Sequence, residues 1–259
     1  MRCSDFVELL NEIAPFSAAE KWDNSGFQIG DLSQNINKVM LALDPTEDVI
    51  AQAIEEQCDM LITHHPLIFS GEKNIVWQDE EGKRIMSLIQ NGVAYCAMHT
   101  NYDSTCIARD VADRIGLPFD GVMQQAPGND EMIGLGVVGT YPEELTIQEI
   151  AERIKEYFGL ESVRLYGNPE RKVKKVAVLP GGGGDEVGVA RATGAELYIT
   201  GDVKHHQALE GVNNNMAVMD ATHYGLEYIF AEGLKERLLE RGVQMEIITD
   251  VDVPPYWDI

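Results

Sequence analysis

The sequence has little positive charge. Its 20 lysine and arginine residues stand against 43 aspartate and glutamate residues, which gives a formal net charge of -23 at pH 7. A surface of that sign repels a phosphate backbone, so non-specific binding to nucleic acid is disfavoured. A small anion is not excluded, because bound metal ions can reverse the field inside a single cleft.

Cysteine is also scarce, and no two of the four cysteines form a CxxC pair; they are Cys3, Cys58, Cys96 and Cys106. Since Cys58 and Cys96 lie in or beside apolar runs, all four are expected to be reduced core residues rather than disulfides, zinc ligands or nucleophiles. No run approaches the roughly 18 apolar residues of a membrane span, and no secretory leader is recognisable. We therefore expect a cytoplasmic protein with no membrane partner.

The composition that remains is that of a globular protein. The 259 residues are 44% hydrophobic and 24% charged, enough for one large domain or two of ordinary size. Apolar strands alternate with amphipathic helices, as in strand 39–43, helix 47–57 and strand 60–63. This order predicts a βαβ unit with parallel strands.

The second half of the chain repeats this unit at a constant offset of 137 residues, so that Val39 corresponds to Val176 and Asp59 to Glu196. We therefore predict two linked α/β domains of related βαβ topology, with mixed, mostly parallel sheets flanked by helices. Residues 124–130 are rich in Gln, Pro, Gly, Asn and Asp, which favours a boundary there. The predicted division is a metal-binding domain of residues 1–126 and 222–259, and a second domain of residues 127–221.

Side chains able to bind metal follow the predicted strands. His64 and His65 come directly after strand 60–63 and before Pro66, which cannot continue a central strand. The carboxyl ends of strands are where open α/β sheets bind ligands, so the position is as informative as the residue type. A His-His pair alone is more often a packed or surface pair than a metal site.

Two further strand ends add donors of the same kind. Strand 93–98 leads into His99, with Asp103 four residues later, and strand 216–219 is followed by His223 and Glu227. The last two are four residues apart at the start of a predicted helix, so their side chains share one face. If the sheet is wound as predicted, four imidazoles and two carboxylates converge on one edge.

This set exceeds the needs of one tetrahedral ion and fits two ions that share a bridging carboxylate. Nitrogen and oxygen donors without thiolate are typical of zinc, iron, manganese or cobalt, and the residue types do not choose among them. Two such ions activate water, so hydrolysis is the natural chemistry.

Four short motifs occur in a fixed order along the chain: WDNSG at 22–26, THHP at 63–66, HTNYD at 99–103 and HYGLE at 223–227. Together they resemble the GTP cyclohydrolase I type 2 (Nif-three-like) family of dinuclear-metal proteins, over nearly the full chain. The resemblance implies two divalent metal ions per chain, with Glu227 suited to bridging. It makes His99 a neighbour that either supports a metal ligand by a hydrogen bond or acts as the catalytic proton carrier. The implied metal ligands are His64, His65, Asp103, His223 and Glu227. It also implies a toroidal homohexamer with the metal sites facing an internal cavity.

The family name suggests that the substrate is a small molecule, a nucleotide such as GTP. In the reaction it suggests, metal-activated water attacks C8 of the guanine and formate is released. The Gly181–Gly184 run could cradle phosphate, but it lacks the lysine and hydroxyl of a P-loop, and a turn is the simpler interpretation. His205 and His206 could line the cavity or lie on a helix surface.

Two other functions stay open. Because no residue in the sequence is recognisable as reading guanine, a non-catalytic metal-handling protein or regulatory scaffold is the alternative to an enzyme. A ring that binds nucleic acid is opposed by the net charge.

Overall fold

The computed structural model describes residues 1–126, 130–250, 254 and 256 of the chain. The chain forms two compact units: Met1–Tyr102 with Phe230–Val253, and Asp103–Ile229 with Pro254–Ile259. Each unit contains one sheet with helices packed on it, which confirms the predicted class of two α/β units with mixed sheets. The domain division predicted from composition stays a prediction, because compactness of contacts is a different criterion from independent folding.

The strands, in chain order, are β1 Gly26–Ile29, β2 Lys38–Ala42, β3 Met60–Thr63, β4 Ala94–Ala97, β5 Phe119–Gln125, β6 Gly134–Thr146, β7 Arg164–Tyr166, β8 Lys172–Val178, β9 Leu197–Thr200, β10 Ala217–Asp220 and β11 Glu246–Thr249. The helices are α1 Cys3–Ile13, α2 Glu47–Glu55, α3 Glu80–Asn91, α4 Thr100–Tyr102, α5 Ala108–Arg114, α6 Ile147–Phe158, α7 Val187–Ala192, α8 His205–Asn213, α9 His223–Glu227 and α10 Phe230–Glu240. Short 3-10 turns lie at Phe16–Ala18 and Gly183–Glu186, and a π-helical turn at Asp103–Ile107.

The sheet of the first unit has the order β1-β4-β3-β2-β11, with parallel pairs throughout except for β1 against β4. Every residue of β3 and β4 is buried, as expected for strands covered on both faces. Because β2, β3 and β4 run parallel, the residues that follow β3 and β4 emerge at the same edge. His64 and His99 are therefore brought to one edge by the fold, as predicted. The expectation that His223 and Glu227 share this sheet edge is wrong, because β10, which precedes them, belongs to the other sheet.

The sheet of the second unit has the order β5-β6-β8-β9-β10-β7. Only its centre is parallel: β8 pairs with β9 and β9 with β10, while the other pairs are antiparallel. Asp202 follows β9 and His223 follows β10, so this unit also places polar side chains just beyond neighbouring parallel strands.

The internal repeat is confirmed in the register of the strands. In the first unit Val39 of β2 pairs with Met60 of β3, and in the second Val176 of β8 pairs with Leu197 of β9, each shifted by the offset of 137. The residue before each second strand makes the same contacts. One carboxylate oxygen of Asp59 accepts from the amides of residues 37 and 38, at 2.7 and 3.0 Å, and one of Glu196 from those of residues 174 and 175, at 2.8 and 3.1 Å.

Three local features differ from the predictions. Strand β5 was not expected, because its alternation of buried and exposed residues is weak. The spacing of apolar residues predicts an α-helix over residues 105–115, but the chain makes the π-helical turn there before α5 begins at Ala108. The predicted single helix after residue 221 is two helices, α9 and α10.

All four cysteines lie in the described part of the chain, where they are buried and form no disulfide. Among the residues that the structure describes, no helix is both long and apolar enough to cross a lipid bilayer.

Candidate metal-binding residues

The first unit gathers three imidazoles into a triangle. The ring centroids of His64, His65 and His99 lie 5.0 to 5.5 Å apart, and each residue has a ring nitrogen within 4.8 Å of one on each of the others. His64 is fully buried, and His65 and His99 are partly exposed. The three predicted histidines of this unit are thus brought together.

Each of these rings is held through the same nitrogen. The Nδ1 atom of His64 lies 2.8 Å from the carbonyl oxygen of Met98, and that of His65 lies 2.7 Å from Oδ1 of Asp44. The Nδ1 atom of His99 lies 2.8 Å from Oδ1 of Asp23. Because a carbonyl or carboxylate oxygen only accepts, the proton of the neutral ring is placed on Nδ1, and Nε2 becomes the ligand nitrogen.

Asp23 is the best-supported of these partners. Its side chain is fully buried, and the carboxylate also accepts from the hydroxyl of Ser25 and from both the amide and hydroxyl of Thr100. Burial alone would raise its pKa, but the hydrogen bonds and the charge of His99 outweigh burial and hold the pKa of Asp23 well below its usual range. Asp23 therefore stays ionised and orients His99.

The loop that carries His64 and His65 is fixed by a buried tyrosine. The hydroxyl of Tyr95 lies 2.5 Å from Oγ1 of Thr63, donates to the carbonyl of His65 at 3.0 Å and accepts from the amide of Leu67 at 2.8 Å. Burial raises the pKa of Tyr95 above its ordinary value, so the phenol stays neutral. A single side chain in β4 thus sets the path of the chain after β3.

The second unit gathers one imidazole and two carboxylates. Nε2 of His223 lies 2.9 Å from Oε2 of Glu227, as the spacing of four residues on α9 predicts. Oxygen atoms of Asp103 and Glu227 approach within 4.8 Å of each other. Glu227 is buried and is the member that both of the others approach.

The ring of His223 is oriented in the same way as the three in the first unit. Its Nδ1 atom lies 2.8 Å from Oδ2 of Asp202. Burial alone would lower the pKa of His223, but the hydrogen bonds and charges of Glu227 and Asp202 raise it to about 9. The two negatively charged carboxylates beside this imidazole favour a positive charge between them, so a metal cation could bind here.

Glycines allow the chain to approach these residues closely. A Cβ atom on Gly181 would overlap Oε1 of Glu227, and one on Gly201 would overlap the amide of His223. Gly181 also has φ +76°, a conformation that favours glycine. The amide of Gly183 is bonded to Oγ1 of Thr200 at 3.0 Å. The Gly181–Gly184 run is therefore a packed turn beside Glu227, which agrees with the simpler of its two interpretations.

Of the remaining predicted residues, His205 and His206 are exposed at the start of α8, outside both sets. The sequence patterns do not single out Asp44, Asp202 or the carbonyl of Met98. Asp23, in the WDNSG motif, could reach a site from its position in the sequence, but as a turn former it needs no function. A usable signal existed for two of them, because Asp44 and Asp202 follow β2 and β9 closely, as His64 follows β3.

The fold and the donors define a two-unit α/β protein with histidine and carboxylate groups that could hold metal. The comparisons agree: a sequence profile of the Duf34/NIF3 (NGG1p interacting factor 3) family matches residues 1–254. The chain belongs to this family.

Named relatives of the chain come from several bacteria. A "GTP cyclohydrolase 1 type 2 homolog" of Clostridium acetobutylicum is 32% identical, over 99% of this chain and 98% of the relative. A homolog with the same name from Clostridium perfringens is 33% identical, over 93% and 92%. The crystal structure of a Staphylococcus aureus hypothetical protein superposes with a TM-score of 0.89 at 29% identity, covering 100% of this chain and 99% of that one.

Proposed function

We propose that this protein is a dinuclear metal-dependent hydrolase whose substrate is a nucleotide. The observation that carries the proposal is the common orientation of His64, His65 and His223, each held through Nδ1 by an oxygen acceptor so that Nε2 is the ligand nitrogen. The ring of His99 is held through Nδ1 in the same way, which leaves its Nε2 for proton transfer. Histidines that merely pack in a core have no reason to share this pattern, whereas metal ligands regularly do. The name of the relatives supports GTP as the substrate. Formate is the product of the attack at C8 that the family resemblance suggests.

In the proposed ligand set, the ions are held by His64, His65, Asp103, His223 and Glu227. Glu227 is the bridging ligand, an assignment supported by its position as the common neighbour of His223 and Asp103. Nitrogen and oxygen donors suit zinc, iron, manganese or cobalt.

When bound, two divalent ions would supply a water of lowered pKa and positive charge for the anionic groups of the substrate. The chain itself supplies the movement of protons. His99 is held at Nδ1 by the ionised carboxylate of Asp23, so its Nε2 can take up a proton and return it without the ring turning. His99 is therefore the proposed catalytic acid and base.

Two further parts of the proposal concern the protein as a whole. The family resemblance supports a homohexamer, for which light scattering of the purified protein is the direct test. The four cysteines, which are buried and not joined in disulfides, support a reducing compartment such as the cytoplasm.

The deciding experiment combines elemental analysis with an assay of formate released from GTP. The parent protein should carry about two ions per chain, and Glu227→Gln, which keeps the size of the side chain and removes its charge, should lose most of this metal together with the activity. Glu240→Gln is the matched control, because Glu240 is exposed on α10. It should retain both properties.

The outcomes separate the two candidate functions. Formate released by the parent and by Glu240→Gln, but not by Glu227→Gln, supports the hydrolase. Two metals in the parent without turnover of GTP or other nucleotides would favour the metal-handling alternative instead. A parent protein that holds no metal after reconstitution with zinc, iron, manganese or cobalt would contradict the proposed ligand set.

A further inference from the structure

Two large aromatic side chains are exposed beside the histidine triangle of the first unit. Trp22 is 59% exposed and Phe69 is 51% exposed, although rings of this size are usually buried. Their ring centroids are 5.9 Å apart. Both rings contact the same imidazole: His99 lies 6.0 Å from Trp22 and 6.4 Å from Phe69, with its plane steeply inclined to each.

The segments that carry the two rings are fixed by specific hydrogen bonds. Trp22 precedes Asp23, whose buried carboxylate is bonded to His99, Ser25 and Thr100. Phe69 follows Ile68. The carbonyl oxygen of Ile68 accepts from Nδ2 of Asn24 at 2.6 Å, and its amide donates to Oε1 of Gln28 at 3.0 Å.

These bonds tie the segment of Phe69 to the segment of Trp22. The rings are thus held in place by their neighbours while their own faces stay open to solvent. Exposed aromatic rings that are positioned by buried polar groups are typical of a preorganised ligand-binding surface.

We propose that Trp22 and Phe69 form a stacking platform that binds the purine ring of the nucleotide. This inference rests on the proposed function and specifies which part of the substrate the two rings recognise. Stacking suits this protein in particular. In a chain with net charge -23, few basic side chains are available to bind a nucleotide. An aromatic ring can stack on a base without any charged group.

The geometry indicates how the base would lie. A ring inserted between two others needs them about 7 Å apart, twice the optimal carbon separation, and the rings of Trp22 and Phe69 are closer than this and inclined by 42°. The two faces therefore form one joint surface rather than a sandwich. A base stacked on Trp22 would meet the edge of Phe69 and stand next to His99, the proposed proton carrier.

The test measures binding by the purified full-length protein, using calorimetry and tryptophan fluorescence. The probes are GMP, AMP and ribose 5-phosphate, the last of which keeps the sugar and phosphate but lacks the base. For the parent we expect GMP and AMP to bind and to quench fluorescence. In Trp22→Leu both should bind about tenfold more weakly or worse, since one stacked base contributes about that factor or more. The affinity for ribose 5-phosphate should not change.

Three variants sharpen the result. Trp22→Phe, which keeps an aromatic face, should retain most of the affinity, and Phe69→Leu should show a smaller loss than Trp22→Leu. Trp77→Leu removes a tryptophan that is also exposed, at 45%, and should bind like the parent. Metal content should stay at the level of the parent in every variant, which shows that the histidine triangle is intact.

Several outcomes would overturn the platform. They are equal affinity of Trp22→Leu and the parent for GMP, an equal loss of affinity for ribose 5-phosphate, and no binding of either purine nucleotide. A change of oligomeric mass in Trp22→Leu, with Trp22 shielded from acrylamide in the parent, would show instead that a second copy covers these rings. The proposed function can fail separately: a parent without metal or formate release leaves the binding comparison valid.

Discussion

Gly181 and Glu227 are packed so closely that no side chain fits at residue 181. A Cβ atom there would overlap Oε1 of the carboxylate, and Nε2 of His223 would lie 3.6 Å away. The backbone of one loop thus lies directly against the proposed bridging ligand, whose other oxygen, Oε2, is 2.9 Å from Nε2 of His223. The position of Glu227 is therefore set by a neighbour that carries no chemistry of its own.

Replacement Gly181→Ala should displace Glu227 and reduce the metal content of the protein. The matched control is Gly242→Ala: Gly242 has φ +78° against +76° for Gly181, but no atom lies within 4 Å of its added Cβ. Backbone strain should cost each variant about 1–2 kcal/mol of unfolding free energy. Gly181→Ala should lose more, because its Cβ also overlaps Glu227. Elemental analysis should find the metal loss in Gly181→Ala alone, and equal metal in the two variants would contradict this account of Glu227.

Replacement His99→Gln should separate metal binding from catalysis. Because His99 is the proposed proton carrier and lies outside the proposed ligand set, the variant should keep its metal while formate release falls by about a hundredfold or more. His206→Gln, at an exposed position on α8, should behave like the parent in both measurements. Loss of metal from His99→Gln would instead make His99 a ligand.

Replacement Tyr95→Phe should loosen the loop after β3. The variant removes a hydroxyl that is bonded to His65 and Leu67, so urea unfolding should show a loss of about 1–3 kcal/mol. Metal should also dissociate faster from Tyr95→Phe than from the parent, since His64 and His65 lie in this loop. Tyr157→Phe, at a 54% exposed position of α6, serves as the comparison and should change neither quantity. A Tyr95→Phe protein with unaltered stability would show that the hydroxyl does not fix the loop.

Tyr141 should make the protein sensitive to alkaline pH. Burial raises the pKa of Tyr141 to about 12, outweighing the charge of Arg153, which lowers it. The ordinary pKa is about 10, so the stabilising effect of the neutral phenol is complete below pH 10 and is lost as the pH rises from 10 to 12. At pH 11 this loss is about 1 kcal/mol.

Urea unfolding of the parent and of Tyr141→Phe at pH 8 and pH 11 measures this difference directly. The parent should lose about 1 kcal/mol more than the variant between the two pH values, because the variant has no phenol to ionise at that position. Parallel losses in the two proteins would show that Tyr141 ionises at its ordinary pKa. The hydroxyl of Tyr141 donates to the carbonyl of Ile115 at 3.2 Å, so the variant is also expected to be less stable at pH 8.

Much of the parallel core of both sheets could be predicted from the sequence. Runs such as residues 60–63 are apolar throughout, and a comparison of the two halves at one offset located β8 and β9 from β2 and β3. The rule that ligands follow buried strands then found His64 and His99. These predictions succeed because each depends on a local pattern, namely burial on both faces of a parallel strand.

The parts that were missed depend on partners distant in sequence. Whether Asp23 is a turn residue or the anchor of His99 is decided by a bond across 76 residues. Strand β5 is half exposed and forms because β6 pairs with it. No local sequence pattern predicts this pairing. The π-helical turn after α4 likewise breaks a helix whose residues have ordinary helical spacing.

The contacts of Asp59 and Glu196 have a consequence for how this chain can change. In each unit the acidic residue binds the amides that begin the neighbouring strand, and so secures the amino-terminal edge of the parallel core. The donors emerge at the opposite, carboxyl-terminal edge, where one copy has two histidines and the other has glycine and aspartate. One scaffold has thus accepted two different sets of side chains with its register intact. New ligands introduced after β9 or β10 should be tolerated for the same reason.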